Sequence, residues 1–301
     1  MKEKPYESYT IISDLDGTII PHGGCVSEAN KRAIAAFIEG GGHFGIATGR
    51  TPEAAAGYLT DVAITAPSIF FNGSMLYDWQ AEKVLVTKPL TAEGAPDLWP
   101  RFAARCLELF PEACIEVYTQ EDCHIISDPK NDDPRLPHEH YRYCHSDLAE
   151  VADVSRTPWL KFFACADPAD LRALEQEAEV FGTAACSHHF YSEANYHEFV
   201  AKGVSKGSML AEVRKLPEFA GTRIIALGDY LNDRELLESA DIGIASGNAH
   251  EELKALADFT GCRAEEDLIV WLLAHFADIT APHLRIRDNK NPLPANRCGW
   301  K

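Results

Sequence analysis

The sequence predicts an α/β protein, a doubly wound parallel sheet interrupted by a second, α+β domain. Three observations carry this expectation. Apolar runs of strand length alternate with amphipathic helical patterns over the first third of the chain. The same rhythm returns after about residue 200, and between about 84 and 199 it gives way to short strand-like runs and scattered helices. The expected division is a discontinuous core of 1–83 and 200–280, an inserted domain of 84–199 and a tail of 281–301.

Residues 9–13 (YTIIS) form a continuous apolar run of the kind buried on both faces of a parallel sheet. SEANKRAIAAFIE, 27–39, spaces Ile34, Phe37 and Ile38 along one helical face, with Ser27 as the cap. HFGIA, 43–47, is a second strand, 52–59 a helix, and 68–71 a short strand. Asn72-Gly73 then reads as a hairpin turn into MLYDW. In the middle region, strands are expected at 113–119, 123–127 and 160–164, and helices at 97–110 and 168–181. A loop of acids, prolines and histidines, 128–141, divides its two halves. A strand-like run at 196–201 precedes the returning pattern: helix from Lys206, strand 223–227, helix from Asp233, strand 242–245 and helix from His250.

Composition excludes several classes. Hydrophobic residues make up 46% of the 301 and charged residues 25%, as in ordinary globular proteins. No apolar run approaches the roughly 18–20 residues of a membrane-spanning helix. The first residues lack the pattern of a secretory signal, so a cytoplasmic location is expected. A formal net charge of −18 repels nucleic acid and anionic membranes, so neither is an expected partner. The nine cysteines include no C-x-x-C pair and read as reduced thiols. An anionic substrate would need local help from a metal ion or a few placed cations.

In open α/β sheets ligands bind beyond the carboxyl ends of the strands, so residues just after the apolar runs are the ones to inspect. Four such places stand out: Asp14 and Asp16; Thr48, Gly49 and Arg50; Asn72 and Gly73; and Asp229 with Asn232 and Asp233. Several carboxylates gathered in one cleft repel one another unless a divalent cation sits among them, and an all-oxygen set suits magnesium. One carboxylate can then attack phosphorus while a second, its pKa raised by crowding, protonates the leaving oxygen. Thr48, the glycine-flanked backbones and Lys206 can surround the charged phosphoryl oxygens. Gly17 lets the chain turn tightly past the acids, and Thr18 steadies that turn.

The ordered set DLDGT (14–18), ATGR (47–50), FNG (71–73), SKG (205–207), GDYLND (228–233) and SGNAHEELKALAD (246–258) resembles the haloacid dehalogenase-like phosphatases, specifically the Cof-type subfamily with a C2B cap. The resemblance covers about 1–83 and 200–275. It implies a Rossmann-like core, an inserted cap that selects the substrate, and a cytoplasmic magnesium-dependent phosphatase acting on a small phosphorylated metabolite, a sugar phosphate foremost. By it, Asp14 matches the nucleophile that forms an aspartyl-phosphate, and Asp16 the general acid and base whose backbone carbonyl also reaches the metal. Thr48 and Lys206 match the groups that hold the phosphoryl group and the nucleophile. Asp229 matches the direct metal ligand and Asp233 its assistant, while Gly49, Arg50, Asn72, Gly73 and Asn232 line the phosphate cleft. Tyr230 stands where many relatives have a small residue, and Ser246 where many have methionine.

Other readings stay open. Gly203-Val-Ser205-Lys-Gly207 fits the G-x-S-x-G elbow of serine hydrolases, with Asp229 or Asp241 and His250 or His275 as partners. Phosphoryl transfer to a second sugar, as in phosphomutases, and a non-catalytic sensor on the same fold are further alternatives. His138, His140, Cys144 and His145 offer metal-ligand chemistry, though a solvated loop accounts for them, and His188 and His189 read as cap residues with no ligand role. The basic tail packs on the acidic body or forms a subunit contact; a homo-oligomer is not indicated.

Overall fold

A computed structural model describes residues 4–134, 136 and 142–281. His138, His140 and the tail beyond residue 281 lie outside the described residues. The described residues divide into two compact units, one of 4–50, 55–86 and 205–281, the other of 51–54 and the described part of 87–204.

The chain opens with β1 (Tyr9–Ser13), α1 (Glu28–Glu39), β2 (His43–Ile46), α2 (Pro52–Tyr58), β3 (Ser68–Phe70), β4 (Met75–Asp78) and β5 (Lys83–Thr87), which belong to the first unit but for the start of α2 and the last residue of β5. In the second unit, α3 (Leu98–Leu109), β6 (Cys114–Tyr118), β7 (Cys123–Ile125), β8 (Tyr143–His145), α4 (Leu148–Val151), β9 (Lys161–Cys165), α5 (Pro168–Phe181), β10 (Ser187–Glu193) and β11 (Tyr196–Ala201) follow. The chain returns to the first with α6 (Lys206–Val213), β12 (Arg223–Gly228), α7 (Arg234–Ser239), β13 (Ile242–Ala245), α8 (Glu251–Leu256), β14 (Phe259–Thr260), α9 (Leu268–Ala274) and α10 (Phe276–Ile279).

The first unit is built on a five-stranded parallel sheet of order β14-β13-β12-β1-β2. An Ala47–Ile69 bridge links β2 to β3, which heads a separate sheet of order β3-β4-β5. Ile11, Ile12, Ile225 and Leu227 are fully buried, as strands covered on both faces require. Ser27 caps α1 by accepting the Asn30 N–H at 3.0 Å. Among the described residues no helix is long and apolar enough to cross a membrane.

The Asn72-Gly73 hairpin is wider than the two-residue turn the sequence suggests. β3 ends at Phe70, and a 3₁₀ turn over Phe71–Gly73 carries left-handed φ values of 50° at Phe71 and 53° at Asn72 before β4 pairs back antiparallel. The Asn72 N–H is committed to the Thr48 carbonyl at 3.1 Å, which draws the chain out of a simple hairpin.

The second unit holds a six-stranded sheet of order β10-β11-β9-β6-β7-β8, antiparallel except for the parallel β7–β8 pair. Trp99 and Phe102 from α3 and Leu171 and Leu174 from α5 pack on one face of it against Val117, Phe162 and Phe199. Alternate residues of β6 and β9 therefore point to a core, as the period-two rule demands.

Candidate active site

The Asp14 N–H donates to the Leu227 carbonyl at 2.9 Å, which carries the β1–β12 pairing one step past the strand. The chain then folds back on itself. The N–H groups of Thr18, Ile19 and Ile20 return to the Leu15 carbonyl, while the Gly17 N–H reaches the Ile20 carbonyl. Gly17 has φ +74°, and a Cβ there would collide with Oδ2 of Asp229. Both backbone freedom and lack of a side chain are thus required.

Lys206 opens α6, whose N-cap is Ser205. Its Nζ is enclosed, 2.7 Å from Oδ1 of Asp14 and 2.6 Å from Oδ1 of Asp233. The other Asp233 oxygen accepts the N–H groups of Asp229 at 2.9 Å and Tyr230 at 3.3 Å, so one carboxylate both shapes the loop after β12 and anchors the lysine. The Thr18 hydroxyl lies 3.2 Å from Oδ2 of Asp14 and 3.3 Å from Oδ1 of Asp229.

One carboxylate oxygen from each of Asp14, Asp229 and Asp233 lies within 4.8 Å of the others. Burial pushes the Asp14 carboxyl above its ordinary range; Lys206 opposes this, and the charges of Asp233 and Asp16 add to it. Burial, then Asp14 and Asp233, raise Asp229 in the same direction. Burial alone would lower Lys206, but attraction to Asp14 and Asp233 outweighs it and holds the ammonium charged. Three carboxylates facing one ammonium leave negative charge uncompensated, and their donors are all oxygen. This set fits a hard divalent cation such as magnesium.

Asp16 takes a different place. Its half-exposed carboxylate is gripped by Arg50, with Nε donating to Oδ2 at 2.7 Å and the second guanidinium nitrogen to Oδ1 at 2.9 Å. The Arg50 guanidinium also lies over the Tyr58 ring at 4.3 Å. Thr48 is buried, and its Oγ1 accepts the Arg50 N–H at 3.2 Å, leaving the hydroxyl hydrogen to donate. Asn232 donates to Oδ1 of Asn72 at 3.1 Å, joining the loops after β12 and β3. Gly73 has φ +112°, and a Cβ there would collide with the Ser205 carbonyl; one at Gly49 would press on Asn72.

Two further residues, Asn248 and Ser246, hold the turn at Gly17. Nδ2 of Asn248 donates to the Gly17 carbonyl at 2.7 Å and its Oδ1 accepts the Ala264 N–H, while Ser246 reaches the same Gly17 carbonyl at 3.3 Å. Both lie within the SGNAHEELKALAD segment. Ser205, by contrast, spends its hydroxyl on the Ser208 N–H at 3.0 Å as a helix cap. Nδ1 of His250 accepts the Glu252 N–H and Nδ1 of His275 bonds the Trp271 carbonyl, and among the bonds of the described residues neither histidine meets Ser205 as the serine-hydrolase alternative requires.

A family profile described as haloacid dehalogenase-like hydrolase matches residues 11–273. Pyridoxal phosphate phosphatase YbhA of Escherichia coli is 25% identical over 88% of this chain and 97% of its own length. The 5-amino-6-(5-phospho-D-ribitylamino)uracil phosphatase YitU of Bacillus subtilis is 25% identical over 92% and 99%. Among solved structures, the subclass IIB sugar phosphatase BT4131 superposes with a TM-score of 0.72 at 20% identity, covering 89% of this chain and 99% of that one.

Proposed function

We infer the activity from kinship and site together: the chain belongs to the haloacid dehalogenase-like hydrolases and is a phosphatase of that family. We propose that it hydrolyses a small phosphorylated metabolite, a sugar phosphate foremost, through an aspartyl-phosphate formed on Asp14. The observation that carries this reading is the buried Asp14–Lys206–Asp233 chain beside Asp229, which holds one carboxylate oriented while positive charge stands next to it. The relatives named above are a pyridoxal phosphate phosphatase, a 5-amino-6-(5-phospho-D-ribitylamino)uracil phosphatase and a sugar phosphatase, which supports a small phosphorylated metabolite.

In the first step an oxygen of Asp14 bonds to phosphorus and the bond from phosphorus to the ester oxygen breaks. Asp16 gives its proton to the departing alkoxide. In the second, Asp16 takes a proton from water as that water bonds to phosphorus, freeing inorganic phosphate and the Asp14 carboxylate. Arg50 holds the Asp16 carboxylate by both oxygens and so fixes where it stands. Lys206 favours the ionised form of Asp14 and faces the negative phosphoryl oxygens, with the Thr48 hydroxyl and the Gly49 and Gly73 backbones around them. Asn72 and Asn232 steady the rim. Magnesium would be held by Asp14, Asp229 and the Asp16 carbonyl with Asp233 behind them, and when bound it neutralises charge that builds on the phosphoryl group.

Phosphate release from a panel of sugar phosphates, nucleotides, pyridoxal phosphate and an aryl phosphate, with magnesium or with EDTA, tests the proposal. Magnesium-dependent turnover that disappears in Asp14→Asn is expected. Turnover indifferent to both would overturn the mechanism, and capture of phosphate by an added sugar in place of water would make the protein a transferase.

A further inference from the structure

We propose that the second unit carries a zinc site formed by His189, His197 and Glu175, separate from the carboxylate cluster of the first. His189 on β10 and His197 on β11 share one sheet face, since His189 pairs with Phe199 and Tyr191 with His197. Glu175 comes from α5. Nδ1 of His189 lies 3.2 Å from Nε2 of His197, and Oε1 of Glu175 lies 3.9 Å from that same Nδ1. One donor atom from each residue falls within 4.8 Å of the others.

The spacing suits zinc. With bonds of about 2.0–2.1 Å and tetrahedral angles, two nitrogens on one zinc ion stand roughly 3.3–3.4 Å apart. The histidine nitrogens already hold that separation, and Glu175, whose side chain is 37% exposed, has room to close the remaining distance. Two histidines, a glutamate and a water complete four-coordination.

The surroundings hold the donors as a metal site does. Tyr191 donates to Oε2 of Glu175 at 2.9 Å, which leaves Oε1 turned toward His189. The Tyr191 ring stacks on His197 at 4.4 Å between centroids and 2° between planes, and Phe199 stacks against His189.

Without a ligand this arrangement is costly. Among the described residues, His197 is fully buried, its one polar bond runs from Nε2 to the His189 imidazole, and its Nδ1 has no partner. A zinc ion bound through Nε2 would give that buried nitrogen a strong partner and fix the ring hydrogen on Nδ1.

Zinc retention after equilibrium dialysis, with the absorption of cobalt substituted for zinc, tests the site in the full chain. The wild type and Asp229→Asn are expected to hold about one zinc each and to give the d–d bands of tetrahedral cobalt. Glu175→Gln and His189→Ala should each weaken binding by more than the roughly 10–100-fold that loss of a supporting group costs. Glu175→Gln keeps the shape and an oxygen for Tyr191, so its circular dichroism should match the wild type and separate lost zinc from lost fold. Failure of the wild type to retain zinc, equal retention by both variants, or loss in Asp229→Asn alone would overturn the proposal.

Discussion

At the scale of single residues, the buried ammonium of Lys206 fixes the candidate active site. It is fully enclosed and bonded to both Asp14 and Asp233, so Lys206→Met would strand two buried carboxylates. Breaking a buried pair from one side costs about 3–5 kcal/mol, and urea denaturation of Lys206→Met should show a loss of that order along with abolished turnover. A stability close to wild type would mean that the two acids find another partner and that Lys206 is not their counter-charge. Gly17→Ala tests the neighbouring turn. The added methyl meets Asp229 and the residue is forced to φ +74°, so phosphate release should fall by at least tenfold, with a higher magnesium requirement because Asp229 is displaced. These residues were legible in the sequence because tight turns and acids directly after apolar runs leave a local signature. Asn248 was not, because its task is a long-range bond to Gly17, 231 positions away, which no local pattern encodes.

At the scale of elements, the parallel strands and their helices could be read from periodicity, whereas β8 and β10 could not. The β10 sequence SHHFYSE presents polar and aromatic side chains on both faces at a sheet edge, so no alternation of apolar and polar marks it. His188 and His189 accordingly read as cap residues with no ligand role. Conversely, the G-x-S-x-G segment imitated an elbow because a helix cap and a nucleophile both favour serine just before a helix. Ser205→Ala separates the two roles. As a lost cap it should cost about 1 kcal/mol of stability and leave the chemical step intact, whereas abolition of turnover with unchanged stability would restore the serine as a nucleophile.

At the scale of the whole molecule, the site links stability to pH and to the metal. Asp14 and Asp229 have an ordinary pKa of 3.8 in the unfolded chain and are raised in the fold by burial and by the charges of neighbouring carboxylates. Between those limits the folded state binds more protons than the unfolded state, so stability falls as pH rises. The contribution is complete below the ordinary carboxylate pKa and is lost as pH climbs through the raised folded values, at about 1.4 kcal/mol per pH unit for each proton fully held by the fold alone. A divalent cation reverses the balance, because it binds the ionised carboxylates and binds them better as protons leave. Thermal unfolding from about pH 5 to about pH 9 should therefore show a melting temperature that declines in EDTA, and a gap between magnesium and EDTA that widens toward high pH. Asp229→Asn removes one of the titrating groups and should flatten the EDTA curve while shrinking the gap. A gap of constant size across the range, unaltered by Asp229→Asn, would place magnesium somewhere other than among these carboxylates.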